Sequence, residues 1–142
     1  MGAERGPSRR PRLFTLEEAN ALLPRVRRAV EQIRSCAAEL ARLQTQLASY
    51  GRTAGGNGRA GNGHGRGLLA ALERAEALLG ATRAALSELE AIGCELKDID
   101  LGLVDFRALR EGREVYLCWR LGEDEIRFWH ELDTGFAGRQ PL

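Results

Sequence analysis

The chain has 142 residues, a formal net charge of +1, and 44% hydrophobic but only 6% aromatic side chains. This suffices for one hydrophobic core, and the near-neutral balance excludes a globally charged binder of nucleic acid or membranes. Three widely spaced cysteines without a C-x-x-C pair exclude a disulfide framework and a zinc knuckle, and no apolar run nears the roughly 20 residues of a membrane span.

Residues 1–12, "MGAERGPSRRPR", hold four arginines and two prolines and nothing suited to a core, which predicts a disordered basic arm. A single α+β domain is predicted over 13–142. In "FTLEEANALLP", Thr15 precedes Glu18 at capping-box spacing, so a helix starts there. Pro24 predicts a kink, with helix 1 continuing over 13–50. Leu23, Val26, Val30, Ile33, Ala37, Leu40 and Leu47 follow a 3.5-residue repeat, a seam for a second helix. "GRTAGGNGRAGNGHGRG", residues 51–67, is eight-seventeenths glycine and predicts a flexible loop without the spacing of a phosphate cradle. Helix 2 follows over 68–93 with the matching repeat Leu68, Leu72, Ala75, Leu79, Thr82, Leu86 and Leu89, and Gly93 stands at a left-handed C-cap position. The two helices form a long antiparallel hairpin. Two helices alone enclose no core, so the seams need the C-terminal segment, a second copy, or both.

Residues 94–134 change period. "ELKDIDLGLVDF" sets Ile99, Leu101 and Leu103 against Asp98, Asp100 and Gly102. "REVYLCWRL" sets Val115, Leu117, Trp119 and Leu121 against Tyr116, Cys118 and Arg120. "EIRFWHEL" sets Ile126, Phe128, His130 and Leu132 against Arg127, Trp129 and Glu131. The expected result is a small three-stranded antiparallel sheet with one face on the helical hairpin. A turn centred on Glu123 and Asp124 would place Leu121 opposite Ile126 and Leu117 opposite His130. The tail, 135–142, either stays loose or folds Phe136 and Arg139 back over the sheet.

That register leaves an open face on which Arg120 opposes Arg127 and Tyr116 opposes Glu131. Two arginines face to face are relieved by Asp98 and Asp100 in a solvated ion-pair ladder, or by an anionic ligand gripped against Trp129 and Tyr116. Tyr116, Arg120, Arg127, Trp129, Glu131 and Arg139 are therefore the candidate ligand- or partner-binding residues. His130, Asp133 and Glu123 are a candidate metal set, although neighbouring strand residues point to opposite faces. Cys118 and His130 fall on opposite faces in this register, which disfavours a nucleophilic pair. No catalytic residue and no cofactor are assigned.

"FTLEEANALLP", "GCELKDIDLGLVDF", "GREVYLCWRLGEDEIRFWHE" and "GFAGRQP" together resemble the bacterial domain-of-unknown-function 2203 family over residues 13–142. Its motif falls on Gly102, Leu103, Asp105, Phe106, Trp119, Arg120, Gly122, Glu123, Trp129, His130, Gly135, Phe136 and Arg139. The resemblance implies a small soluble bacterial protein with a helical hairpin and a compact β portion, and brings no established activity. The leading expectation is a cytoplasmic, non-catalytic binding or scaffold module. It would form a homodimer through its helices and use the sheet face for an unknown protein or anionic small molecule. A charge of +5 over residues 1–93 against −4 over 94–142 fits such association. The alternatives are a small-ligand or metal-dependent enzyme centred on Arg120, His130, Glu131 and Asp133, and a nucleic-acid accessory using the arm and loop. No membrane partner is expected, and nucleic acid is the least favoured.

Overall fold

The computed structural model describes residues 10–53 and 62–142. Two helices, α1 (Leu16–Thr53) and α2 (Asn62–Ile92), precede five strands: β1 (Glu95–Asp98), β2 (Leu103–Arg110), β3 (Arg113–Arg120), β4 (Phe128–His130) and β5 (Gln140–Pro141). The strands form one antiparallel sheet in chain order. The architecture is α+β, with five strands among the described residues where three were expected.

α1 starts as its sequence dictates. The Thr15 hydroxyl accepts from the Glu18 backbone N–H at 3.1 Å and donates to the Glu18 carboxylate. The helix then runs through Pro24 as one element, Leu16–Thr53. Proline forfeits one backbone bond, but Leu23 and Val26 on either side are fully buried, and that burial holds the helix together. Both helices also extend into the segment expected to be a loop, over 51–53 and 62–67; the rest of it, 54–61, and residues 1–9 of the expected arm lie outside the described residues. Arg12 is ordered. Its guanidinium donates to the Ile92 carbonyl at 2.9 Å at the end of α2 and lies over the Phe14 ring. Gly93 caps α2 at φ +95°, its N–H returning to the Leu89 carbonyl.

The helices pack along a seam that differs from the expected one. α2 turns Ala71, Leu78, Ala85, Leu89 and Ile92 inward and leaves Leu72, Leu79 and Leu86 exposed. On α1, Cys36 is buried and Ala37 is not. Both sets on α2 repeat at seven residues; the one carrying alanines lets the helix axes approach closely, and this decides between them. Arg25–Glu88 and a two-pronged Arg74–Glu39 contact lace the rim.

The sheet lays Val104, Phe106, Ala108, Val115, Leu117, Trp119 and Trp129 against Phe14, Val26, Val30 and Ile33 of the α1 region and Leu89 and Ile92 of α2. Phe14 and Phe106 meet edge to face at 5.2 Å. The run from Ile99 to Gly102, expected to be strand, is the β1–β2 turn: the Asp98 carboxylate accepts from the Leu101 N–H at 2.9 Å, and Gly102 has φ +66°. β2 and β3 join through Glu111 and Gly112, both at positive φ, as a two-residue type I′ loop requires.

Candidate functional site

The β3–β4 pairing sets Tyr116 against His130, Leu117 against Trp129 and Cys118 against Phe128. This is one residue off the expected register, and a one-residue slip turns every side chain of β4 over. Trp129 therefore enters the core beside Leu117, while His130 moves to the second face of the sheet with Tyr116 and Cys118. Phe128 and Trp129 offer an aromatic to either face. Burial of the larger ring settles the choice.

The second face is not open. After β4 the chain crosses it through Leu132, Gly135 and Phe136 and returns as a one-turn 3-10 helix, Phe136–Gly138, into β5. Arg139 pins this strap. Its guanidinium donates to the Cys118 carbonyl at 3.2 Å and to the Glu123 carboxylate at 2.5 Å, and stacks over the rings of Phe128 and Phe136. Arg139→Ala is expected to lower stability by about 2 kcal/mol, from a half-buried ion pair and two cation–π contacts, as read by urea unfolding.

Under the strap three side chains converge. Asp105 of β2 stands directly opposite Cys118 of β3, and His130 reaches over from β4. All three are at most 3% exposed, and one oxygen, the sulfur and one ring nitrogen lie within 4.8 Å of one another. The His130 Nδ1–H donates to the Glu131 carbonyl at 2.6 Å, and Nε2 faces Asp105 Oδ2 at 3.0 Å. Asp105 Oδ1 is buried without a hydrogen-bond partner among the described residues. Burial raises the Asp105 pKa, opposed by the neighbouring imidazole. Burial and the adjacent Asp105 carboxylate push the Cys118 thiol up to about 12, against a lowering pull from Arg139. A cavity of about 230 Å³ adjoins the cluster, lined also by Lys97, Tyr116 and Asp133.

The expected anion site is not assembled. Arg120 is exposed at the end of β3 opposite Leu103, and its backbone N–H donates to the Glu123 carboxylate. Arg127 pairs with Glu125 on the surface, and its carbonyl accepts from Leu142. Glu131 pairs with Arg113. Tyr116 is buried on the second face, where its hydroxyl bridges Arg107 and Glu95, while Trp129 lies on the other side of the sheet. Of the metal set, His130 and Asp133 line one cavity; Glu123 is held at the β3–β4 turn by Arg139. Cys118 and His130, expected on opposite faces, share one. Asp105 was missed as a site residue: its partner is 25 residues away and two strands over, and only the correct β4 register reveals it. The arm and the loop centre, on which a nucleic-acid role rests, lie outside the described residues.

No helix among the described residues is long and apolar enough to cross a membrane. No curated protein and no solved structure matches the chain significantly. The family model DUF2203, described as an uncharacterised conserved protein, matches residues 12–142, nearly the whole chain, so the resemblance noted above holds and the chain belongs to that family.

Proposed function

We propose that this protein is a non-catalytic module that pairs with a second copy of itself through α2. One observation carries the reading: Leu72, Leu79 and Leu86 form a straight row at seven-residue spacing, 49%, 46% and 42% exposed, with Leu69 (58%) at its end. Such a row on a helix already packed on its other side is a second seam, and it spans about 21 Å at 1.5 Å per residue. Glu76 and Arg83 flank it, and neither forms an ion pair within the chain among the described residues. A twofold, antiparallel pairing centred on Leu79 sets Leu72 of each copy against Leu86 of the other. It also brings Glu76 alongside the other copy's Arg83 twice, so the surface is self-complementary in charge as well as shape.

Sedimentation velocity and native mass spectrometry of the full-length protein test this. A two-copy species is expected, converted to monomer by Leu79→Glu with unchanged circular dichroism, since an exposed position contributes little to the fold. Arg83→Glu should weaken pairing, and adding Glu76→Arg should restore it. A protein that is monomeric at every accessible concentration overturns the reading, as does a Leu79→Glu variant that still pairs.

A further inference from the structure

We propose that Asp105, Cys118 and His130 form a site for a single divalent transition-metal ion of the zinc or cobalt type, entered from the cavity beneath the C-terminal strap. The site is independent of the helix pairing proposed above.

The hydrogen bonding of the histidine makes the first argument. Its Nδ1 is 2.6 Å from a backbone carbonyl, which can only accept, so Nδ1 carries a proton. The Nε2 lone pair then points at Asp105 Oδ2, 3.0 Å away. Two lone pairs at that distance repel unless a cation stands between them. A proton answers for this one contact. It leaves Asp105 Oδ1 buried, with the weak Cys118 thiol as the one donor beside the carboxylate. A metal ion engages the carboxylate, the imidazole and the sulfur together. A carbonyl that fixes the tautomer from behind is also the usual outer partner of a metal-bound histidine.

Placement makes the second. The donors come from three adjacent strands, β2, β3 and β4, on one face of a rigid sheet, and lie within 4.8 Å of one another. Tetrahedral ligands about 2.0–2.3 Å from an ion lie about 3.3–3.7 Å apart, so side-chain shifts on the order of 1 Å close the set. The donor types select the ion. Thiolate and imidazole favour zinc, cobalt or iron(II) over magnesium or calcium, whose sites are all oxygen. Three protein donors leave a fourth position facing the cavity, where Asp133 or water completes the shell. Loading displaces the Cys118 thiol proton, because the thiolate is the form that binds a metal ion.

The test uses chelator-stripped full-length protein titrated with cobalt(II). The expected result is a thiolate-to-cobalt charge-transfer band that saturates at one equivalent and vanishes when zinc is added. Cys118→Ser should abolish the band, whereas Cys36→Ser and Cys94→Ser should keep it. Asp105→Asn and His130→Asn should weaken cobalt binding at least about tenfold. If the Cys118 variant does not fold, zinc-loaded wild-type protein provides the check: Cys118 alone should be protected from alkylation in partial denaturant, as read by peptide mass. No band with stoichiometric cobalt, a band that survives Cys118→Ser, or protection of Cys36 or Cys94 instead overturns the site.

Discussion

Trp119→Ala should unfold this protein more readily than any other single truncation, by about 4 kcal/mol. Trp119 is completely buried, and its indole N–H donates to the Glu123 carbonyl at 2.9 Å. The same carbonyl lies 3.5 Å from the guanidinium of Arg27 on α1, which sits over the indole at 5.8 Å. One side chain thus ties α1, β3 and the β3–β4 turn together. Removing it leaves a cavity that Val104 opposite and the helix behind cannot fill, and frees the carbonyl of its strongest donor. The melting temperature should fall by roughly a dozen degrees. Trp119→Phe keeps most of the packing and loses the hydrogen bond, so it should cost only about 1–2 kcal/mol. Denaturant titration of both variants checks the pair of values. A loss below about 1 kcal/mol for the alanine variant would show that the turn, not the ring, organises this corner.

Gly102→Ala is the second large effect, at about 3 kcal/mol, and Gly112→Ala is its control. Both glycines have positive φ, +66° and +77°, where an alanine is strained by about 1 kcal/mol. They differ in space. A Cβ on Gly102 would stand 2.6 Å from the Leu121 Cβ and 3.4 Å from Val30 on α1, whereas on Gly112 it would meet nothing within 4 Å. Leu121 cannot simply swing away, because its backbone N–H donates to the Gly102 carbonyl at 2.9 Å. The control should therefore lose about 1 kcal/mol and the test variant about 2 kcal/mol more, from steric displacement of Leu121. Equal losses would show that backbone strain alone separates glycine from alanine at both turns.

These turns also mark where the sequence was legible and where it was not. The capping box at Thr15, the glycine cap at Gly93 and the alternation of β3 are local patterns, and each reads correctly because neighbours in the chain decide it. The β1–β2 turn deceived because Ile99, Leu101 and Leu103 alternate as a strand would, while a single Asp98 side chain satisfies the Leu101 amide and bends the chain instead. The β2–β3 loop was hidden because Glu111 is an unusual residue for positive φ, where asparagine or aspartate would have signalled the hairpin. On α2 two heptad rows compete, and the leucines drew attention from the alanines that let the helices meet. β4 failed for a different reason. "FWH" is bulky on both faces, so pattern alone cannot choose, and the choice moves His130 from the core to the side of Asp105 and Cys118. The candidate site was thus invisible although each of its residues was in plain sight: it exists only after one strand has been placed to within a single residue.

The strand order has a consequence for how fast the chain folds. Each strand pairs with the next in sequence, and β2 and β3 are separated by only two residues, so most of the sheet is built from short-range contacts. Attachment of the helical hairpin instead closes very long loops, as between Asn20 and Ile126, 106 residues apart, or Arg27 and Glu123, 96 apart. Loop closure of that span is the slow event in a search of this kind, while hairpins form in about 1–10 μs. The β2–β3 hairpin therefore belongs to the early part of the folding reaction and helix docking to its barrier. Substitutions at the α1–sheet contact should slow refolding, and those at the strap should chiefly speed unfolding.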